Sequence, residues 1–239
     1  MMKNFKSRGL RLAITGALLA GSLNAAAEAG DILVRLRGIV VAPDDSSSNI
    51  TVAGVGLDAP SGVGVDDSVT PEADITYMIT RNIGVEAIAG TAHHTVNIHA
   101  APPSVLNTLG LTGIDIFKTW VVPPTIALQY HFMPESKFRP YVGAGVNYTW
   151  FLAEDATTQL ESAVGSVDVD MDNSWGWAAQ AGFDYTIKDN WFVNFDVKYI
   201  DISSRATLNL KNPAAPTSRV HVDVDIDPWV FGAGIGYRF

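Results

Sequence analysis

The final nine residues, Phe231-Gly232-Ala233-Gly234-Ile235-Gly236-Tyr237-Arg238-Phe239, constrain the fold more than any other stretch of this chain. Phe231, Ala233, Ile235, Tyr237 and Phe239 are apolar at period two, with three glycines and Arg238 between them. Period two places the two sets on opposite faces of a β-strand. As the last strand of a soluble sandwich, the segment would offer an aromatic edge to any passing chain. In a closed outer-membrane barrel the last strand pairs with the first, no edge remains, and the aromatic tip lies at the membrane interface. On that second reading Tyr237 and Phe239 are also the expected assembly signal, presented to the barrel-assembly machinery.

The other end carries Lys3, Lys6, Arg8 and Arg11, then an apolar run from Leu12 to Leu23, then Ala25-Ala26-Ala27. A basic stretch, a short apolar stretch and a small-residue site describe a secretory signal peptide, expected over 1–27. The apolar run is shorter than the ~20 residues a membrane-spanning helix needs. Cleavage after Ala27 leaves 28–239 as the mature domain, and cleavage after Ala29 competes with it. Losing those four cations takes the formal charge from −9 to −13, which argues against nucleic acid as a partner. An exported chain without cysteine has no disulfide framework, and no later segment is apolar for long enough to be a transmembrane helix. Hydrophobic residues nevertheless make up 47% of the chain and charged ones only 17%, a balance suited to strands that face lipid.

Seven further segments alternate. Ile32, Val34, Leu36 and Val40 oppose Arg35 and Arg37. Ile75, Tyr77 and Ile79 oppose Asp74 and Thr76, and Val85, Ala87 and Ala89 oppose Glu86. Ile126, Leu128, Tyr130 and Phe132 oppose Thr125, Gln129 and His131, while Val142 to Leu152 on even numbers oppose glycines, Asn147 and Thr149. Trp175 to Tyr185 on odd numbers oppose Gln180 and Asp184, and Trp191 to Tyr199 oppose Asn194, Asp196 and Lys198. In the eighth segment Val220, Val222, Val224 and Ile226 are even whereas Trp229, Phe231 and Ile235 are odd, so a bulge at Asp227-Pro228 is expected to absorb one residue. The connections alternate too. Arg81-Asn82, 133–137 and 188–190 are tight, while 43–71, 95–117, 153–172 and 203–219 are long.

A soluble lipocalin-like barrel would bury the apolar set and expose the polar one. Here the polar set is too charged for an apolar cup. Trp120, Trp150, Trp175 and Trp177 also fall at one rim, and Tyr77, Tyr130, Tyr185, Trp191 and Tyr237 at the other, as two interfacial girdles would. The expectation is an all-β, eight-stranded antiparallel transmembrane β-barrel with long extracellular loops and short periplasmic turns, in the outer membrane of a Gram-negative bacterium.

With that architecture, the chain resembles the OmpW family over essentially the whole mature sequence. The resemblance is carried by Asn82-Ile83-Gly84-Val85-Glu86, Pro123-Pro124-Thr125 and Lys137-Phe138-Arg139-Pro140-Tyr141-Val142-Gly143-Ala144-Gly145-Val146-Asn147-Tyr148. It continues in Asp172-Asn173-Ser174-Trp175-Gly176, Tyr199-Ile200-Asp201-Ile202, and the stretch from Asp227-Pro228-Trp229 to Gly236-Tyr237-Arg238-Phe239. It implies a monomeric barrel linked to passive uptake of small hydrophobic molecules, with receptor roles for phage or bacteriocins in some members. Lys198 departs from the bulky apolar residue the family often carries there, which puts in question how apolar the upper lumen is.

Five constellations have both a functional and a structural reading. Arg35, Arg37, Lys198 and Arg238 against Asp74, Glu86, Asp184 and Asp196 form either a plug or a selective ion pore; equal numbers of each sign and a lumen just wide enough for side chains favour the plug. His93, His94 and His99 suggest a metal, but neighbours on a strand point to opposite faces, so His94 is read as a wall of the upper cavity and no metal or cofactor is expected. His94, His221 and Ser203 could serve a lipid-modifying enzyme, yet no nucleophile motif accompanies them, and catalytic residues are not assigned. Pro123 and Pro124 donate no ladder hydrogen bond and mark either a rim bulge or a break in the wall for lateral exit, with Ile88 on the same path. Ser104 to Leu109, after Pro102-Pro103, would form one capped helical turn, as a lid or as loop packing.

Overall fold

The computed structural model describes residues 28–52, 55–56, 61–100, 104–108, 110–211 and 219–239. The expected signal segment and Pro102-Pro103 lie outside the described residues. In chain order the strands are β1 (Ile32–Ala42), the two-residue β2 (Ser46–Ser47), β3 (Thr51–Val52) and β4 (Val55–Gly56), then β5 (Ser61–Val65), β6 (Ser68–Met78), β7 (Ile83–Gly90) and β8 (Ala92–Ala100). They continue with β9 (Asp115–Val122), β10 (Thr125–His131), β11 (Phe138–Ala156), β12 (Val167–Met171), β13 (Ser174–Lys188), β14 (Trp191–Ile200), β15 (Ser203–Leu210), β16 (Arg219–Asp225) and β17 (Trp229–Arg238). Two short helices, α1 (Val105–Thr108) and α2 (Thr158–Val164), cap long hairpins. Ser104 caps the first, its Oγ accepting from the Leu106 N–H at 3.2 Å.

The barrel closes. Antiparallel pairs run β1–β6, β6–β7, β7–β10, β10–β11, β11–β13, β13–β14 and β14–β17, and β17 returns to β1 with Tyr237 opposite Val34 and Phe231 opposite Val40. Closure leaves no strand edge open along the barrel, which a bilayer demands, apart from one short interruption described below. The apolar set faces out: Leu36, Ile75, Ile126, Leu128, Val146, Phe195 and Ile235 are all exposed. Trp120, Trp150, Trp175 and Trp177 are exposed at one rim and Tyr77, Tyr130, Tyr185 and Trp191 at the other, giving the two expected girdles. At the periplasmic turns Asp189 takes a left-handed conformation with φ 50° and Met133 with φ 48°, each reversing the chain within a few residues.

The long extracellular connections are themselves built largely of strand. β8 and β9 continue the third and fourth strands beyond the membrane, with β5 paired to β8, and β11 runs past the outer girdle. Opposite them, β12, β15 and β16 form a second extension. Between the two lies one apolar cluster that includes Val63, Ile98, Phe117, Phe151, Met171, Leu208 and Val224. A hairpin that buries one face against another need not be hydrophobic over its whole length, which is why these segments look loop-like in sequence.

One expectation is corrected, in the eighth strand. Tyr199 pairs with Trp229 and Ser203 with Asp225, so both strands advance equally through the junction and no residue is absorbed. Even-numbered residues face inward on both sides of Asp227-Pro228: Val222, Val224 and Ile226 above, Val230 and Arg238 below. What changes is the environment. Within the membrane the apolar face is the lipid-facing one, and beyond it the apolar face is the interior one. Register shifts lie elsewhere, among them one in β11 between Leu152 and Asp155, where Ala153 has φ 52°.

Glycines on the inner face make room for what fills the barrel. A Cβ on Gly182 would lie 2.6 Å from the Tyr141 hydroxyl, and one on Gly236 2.3 Å from the Phe192 ring. At Gly234 the obstacle is backbone, since a Cβ would sit 2.0 Å from the Leu36 carbonyl oxygen. Gly234→Ala is therefore expected to lower stability by about 1–3 kcal/mol through overpacking. Gly38→Ala, on the lipid face with open space around it, is expected to leave stability unchanged. Heat-modifiable gel migration across a urea series measures both.

Candidate functional site

The interior is layered, and single strands show the order. Along β1 the inward residues are Leu33, Arg35, Arg37, Ile39 and Val41; along β14 they are Phe192, Asn194, Asp196, Lys198 and Ile200. At the periplasmic end Leu33, Met78 and Phe192 form a small apolar floor. Above it is a charged layer, and above that the apolar cluster.

The charged layer is one connected network of three cations and five carboxylates. Arg35 binds Asp184 through two parallel bonds of 3.1 Å each, Asp74 at 2.9 Å and Glu86 at 3.3 Å. Its Nη1 also donates to the Thr76 hydroxyl at 2.8 Å. Arg37 reaches Glu72 and Asp74 at 2.8 Å and Asp196 at 3.5 Å. Lys198 bridges Glu72 at 2.9 Å and Asp196 at 2.6 Å. Gln180 donates to Glu86, the Tyr141 hydroxyl to Asp196, and Asn194 to both Tyr141 and Asp184. The Tyr141 ring lies 5.3 Å from the Arg35 guanidinium carbon. Each of these groups is buried, and buried charges are tolerated only when paired and hydrogen-bonded.

Seven of the eight sequence-predicted plug residues meet here. The exception is Arg238, which lies at the periplasmic rim with Asp31 3.8 Å away rather than in the network. Its place is filled by Glu72, hidden in the sequence because Glu72 precedes the clear alternation of the second strand. Arg139, buried beneath the network against the Phe192 ring at 5.6 Å, was also absent from the expected set. Its inward parity in β11 was the available signal.

Above Lys198 and Glu72 the lumen opens into an apolar cavity with about 50 Å³ of room for the centre of a water-sized sphere. Ile39, Val41, Ile200, Ile202, Ile226 and Val230 form one side of its wall. Lys198 does not make the upper lumen polar, since its ammonium is turned onto Glu72 and Asp196. The remaining side is lined by Ile88, Gly90, Thr91, Ala92, Val121, Pro123 and Thr125.

That side is where the wall is incomplete. The third and fourth strands pair at Ile88–Thr125 below and at Ala92–Val121 above, in one register, but no ladder pairs join 89–91 to 122–124. Pro123 and Pro124 have no N–H to give. On their other side the fourth strand is held, because the Tyr148 N–H donates to the Pro124 carbonyl at 3.1 Å. The proline pair thus leaves a gap of three residues between strands without a bulge.

The histidines separate as strand geometry requires: His93 is outside, edge-on to Trp120, while His94 is buried on the cavity wall. Ser203 is exposed and His221 is hydrogen-bonded to Thr207, so the structure does not gather Ser203 with His94 on one face.

The OmpW family model matches residues 28–239. Outer membrane protein W of Vibrio cholerae serotype O1 is 38% identical over 230 residues, 95% of this chain and 97% of that one. The crystal structure of the outer membrane protein OprG from Pseudomonas aeruginosa superposes with a TM-score of 0.80 at 34% identity, covering 90% of this chain and 99% of that chain. A more distant relative, the dibenzothiophene metabolism operon protein PahQ of Pseudomonas aeruginosa, is 29% identical over 168 residues, 70% of this chain and 69% of its own.

Removing Asp184 takes from Arg35 its two-bond partner and leaves it Asp74 and Glu86. Asp184→Ala is expected to cost up to about 3 kcal/mol, the lower end of the scale for breaking a buried ion pair. On the extracellular surface the Arg205 hydrogen bond holds the Asp223 carboxyl below its ordinary range. That pair is solvated, and Asp223→Ala is expected to leave the urea midpoint in lipid vesicles within the scatter of surface substitutions. Equal midpoints for the two variants would show an interior that is wet rather than packed.

Proposed function

This chain belongs to the OmpW family of outer-membrane β-barrel proteins, and on that premise we propose that it gives small hydrophobic molecules passive passage from the extracellular face into the outer membrane through the gap beside Pro123 and Pro124. The observation that carries this reading is the apolar cavity that ends on the Lys198–Glu72 ion pair below and on the unpaired 89–91 and 122–124 segments at its side. Going straight down, an apolar solute would have to separate buried ion pairs and then pass Leu33, Met78 and Phe192. Each broken pair leaves charge in a low-dielectric interior at about 3–5 kcal/mol. Going sideways, it passes Ile88, Gly90, Thr91 and Pro123 and enters hydrocarbon. The name of one relative, which ties it to an operon for the metabolism of an apolar aromatic compound, supports the same solute class.

A second reading, a receptor barrel whose extracellular hairpins dock phage or bacteriocins, draws on the ordered β5–β8–β9 and β12–β15–β16 extensions. The two readings separate in one experiment. Cells carrying Pro123→Val with Pro124→Val, at matched surface level, gain one ladder donor facing the gap, at 123, and one facing β11, at 124. Uptake of n-nonane is expected to slow severalfold, with phage adsorption unchanged. Unchanged uptake in the double variant would overturn the lateral route.

A further inference from the structure

The cavity wall is apolar apart from a few groups, and most of those are already satisfied within the protein. Lys198 and Glu72 are bound to each other, the Thr70 hydroxyl donates to the Thr91 carbonyl, and the Thr125 hydroxyl donates to the Pro123 carbonyl. His94 differs. It is 4% exposed, and it lines this cavity and also the smaller one above, beside Val96, Phe117 and Phe151. Its Nδ1 lies 2.7 Å from the backbone carbonyl oxygen of Asp66. A carbonyl only accepts, so Nδ1 carries the proton and donates it. In a neutral imidazole the other nitrogen then holds a lone pair. Burial among Ile88, Val121 and Ile226 keeps the ring neutral, because charging it there is unfavourable.

The donor's target is itself fixed. The Asp66 N–H donates to the Thr95 carbonyl at 3.2 Å, and the Asn97 amide donates to Asp66 Oδ1 at 3.2 Å. With the β5–β6 turn pinned to β8 in this way, the ring is held in one tautomer. Nε2 makes no hydrogen bond among the described residues, nor is it sealed against the protein as the fully enclosed orphan atoms are. It is an unbonded acceptor on a ring that lines the cavity.

We propose that His94 Nε2 is a recognition site for a hydroxyl, so that the conduit selects apolar molecules bearing one hydrogen-bond donor, such as alcohols and phenols, over hydrocarbons of equal size. This rests on the apolar-passage reading above and names its substrate class. An acceptor buried in an apolar wall loses its hydrogen bond to water when a hydrocarbon fills the cavity and keeps a bond when a hydroxyl does. Unpaired polar groups are what make such sites discriminate.

The test compares 1-octanol with n-nonane, which have the same number of non-hydrogen atoms, as sole solutes taken up by cells displaying the full chain. The uptake ratio is corrected by cells without it. The wild-type barrel is expected to favour octanol by about fivefold, the yield of one hydrogen bond. His94→Leu should abolish that preference, read as the ratio of octanol to nonane uptake, and His94→Gln, which restores an acceptor, should recover part of it. Heat-modifiable migration checks that each variant folds. In ¹⁵N-histidine spectra of the wild-type barrel in nanodiscs, octanol but not nonane should shift Nε2, a readout independent of the variants. Equal octanol preference in wild type and His94→Leu, or an Nε2 resonance indifferent to octanol, overturns the assignment while leaving the passage reading in place. Failure of both solutes to enter faster than in barrel-free cells removes the passage reading and this site with it.

Discussion

Arg35 is the group on which the rest of the structure depends. Its guanidinium is fully buried at mid-barrel and makes ion pairs with β6, β7 and β13 from its own place on β1. β1 and β13 are not neighbours in the wall, so the pair with Asp184 ties opposite sides of the barrel together. Buried ion pairs contribute little net stability compared with apolar packing, but losing one partner is strongly unfavourable. A network of this kind therefore acts on register more than on stability. A one-residue slip of β1 would turn Arg35 and Arg37 toward lipid, at roughly 2–4 kcal/mol each near the midplane.

From that layer the functional geometry follows. Because the charged groups bind one another at the level of Lys198 and below, the lumen above is free to be apolar. On the proposed reading, what enters the cavity leaves by the mouth or through the wall, because the way down crosses the ion pairs and then Leu33, Met78 and Phe192. The wall in turn has its weak place where two consecutive residues lack N–H groups. The same two prolines would matter little in a barrel with an open pore, and the same plug would be merely structural in a barrel with a complete wall.

Much of this was legible from the chain. Alternation separated lipid-facing from lumen-facing residues, since a strand leaves only two choices for each side chain. Arg35, Arg37, Asp74, Glu86, Asp184, Asp196 and Lys198 were identified by parity alone, and connection lengths distinguished the two ends. Parity failed where it was combined with polarity. The apparent switch at Asp227-Pro228 is a change of surroundings, from lipid outside to a protein core inside, and sequence does not mark where the membrane ends. Glu72 and the long hairpins were missed for the same reason.

What the sequence determined by itself is the class of fold, the direction each barrel side chain points and the residues that face the lumen, because these follow from period two and from the burial rules of a bilayer. What only the tertiary structure decided is which of those residues meet: that Arg238 lies at the periplasmic rim beside Asp31, that Lys198 at the cavity floor is bound to Glu72 and Asp196, that the gap at the prolines adjoins an apolar space, and that His94 has one nitrogen bound to a carbonyl. Pairings across a closed barrel depend on strand register and on the reach of individual side chains, and neither is written in the order of residues along a single strand.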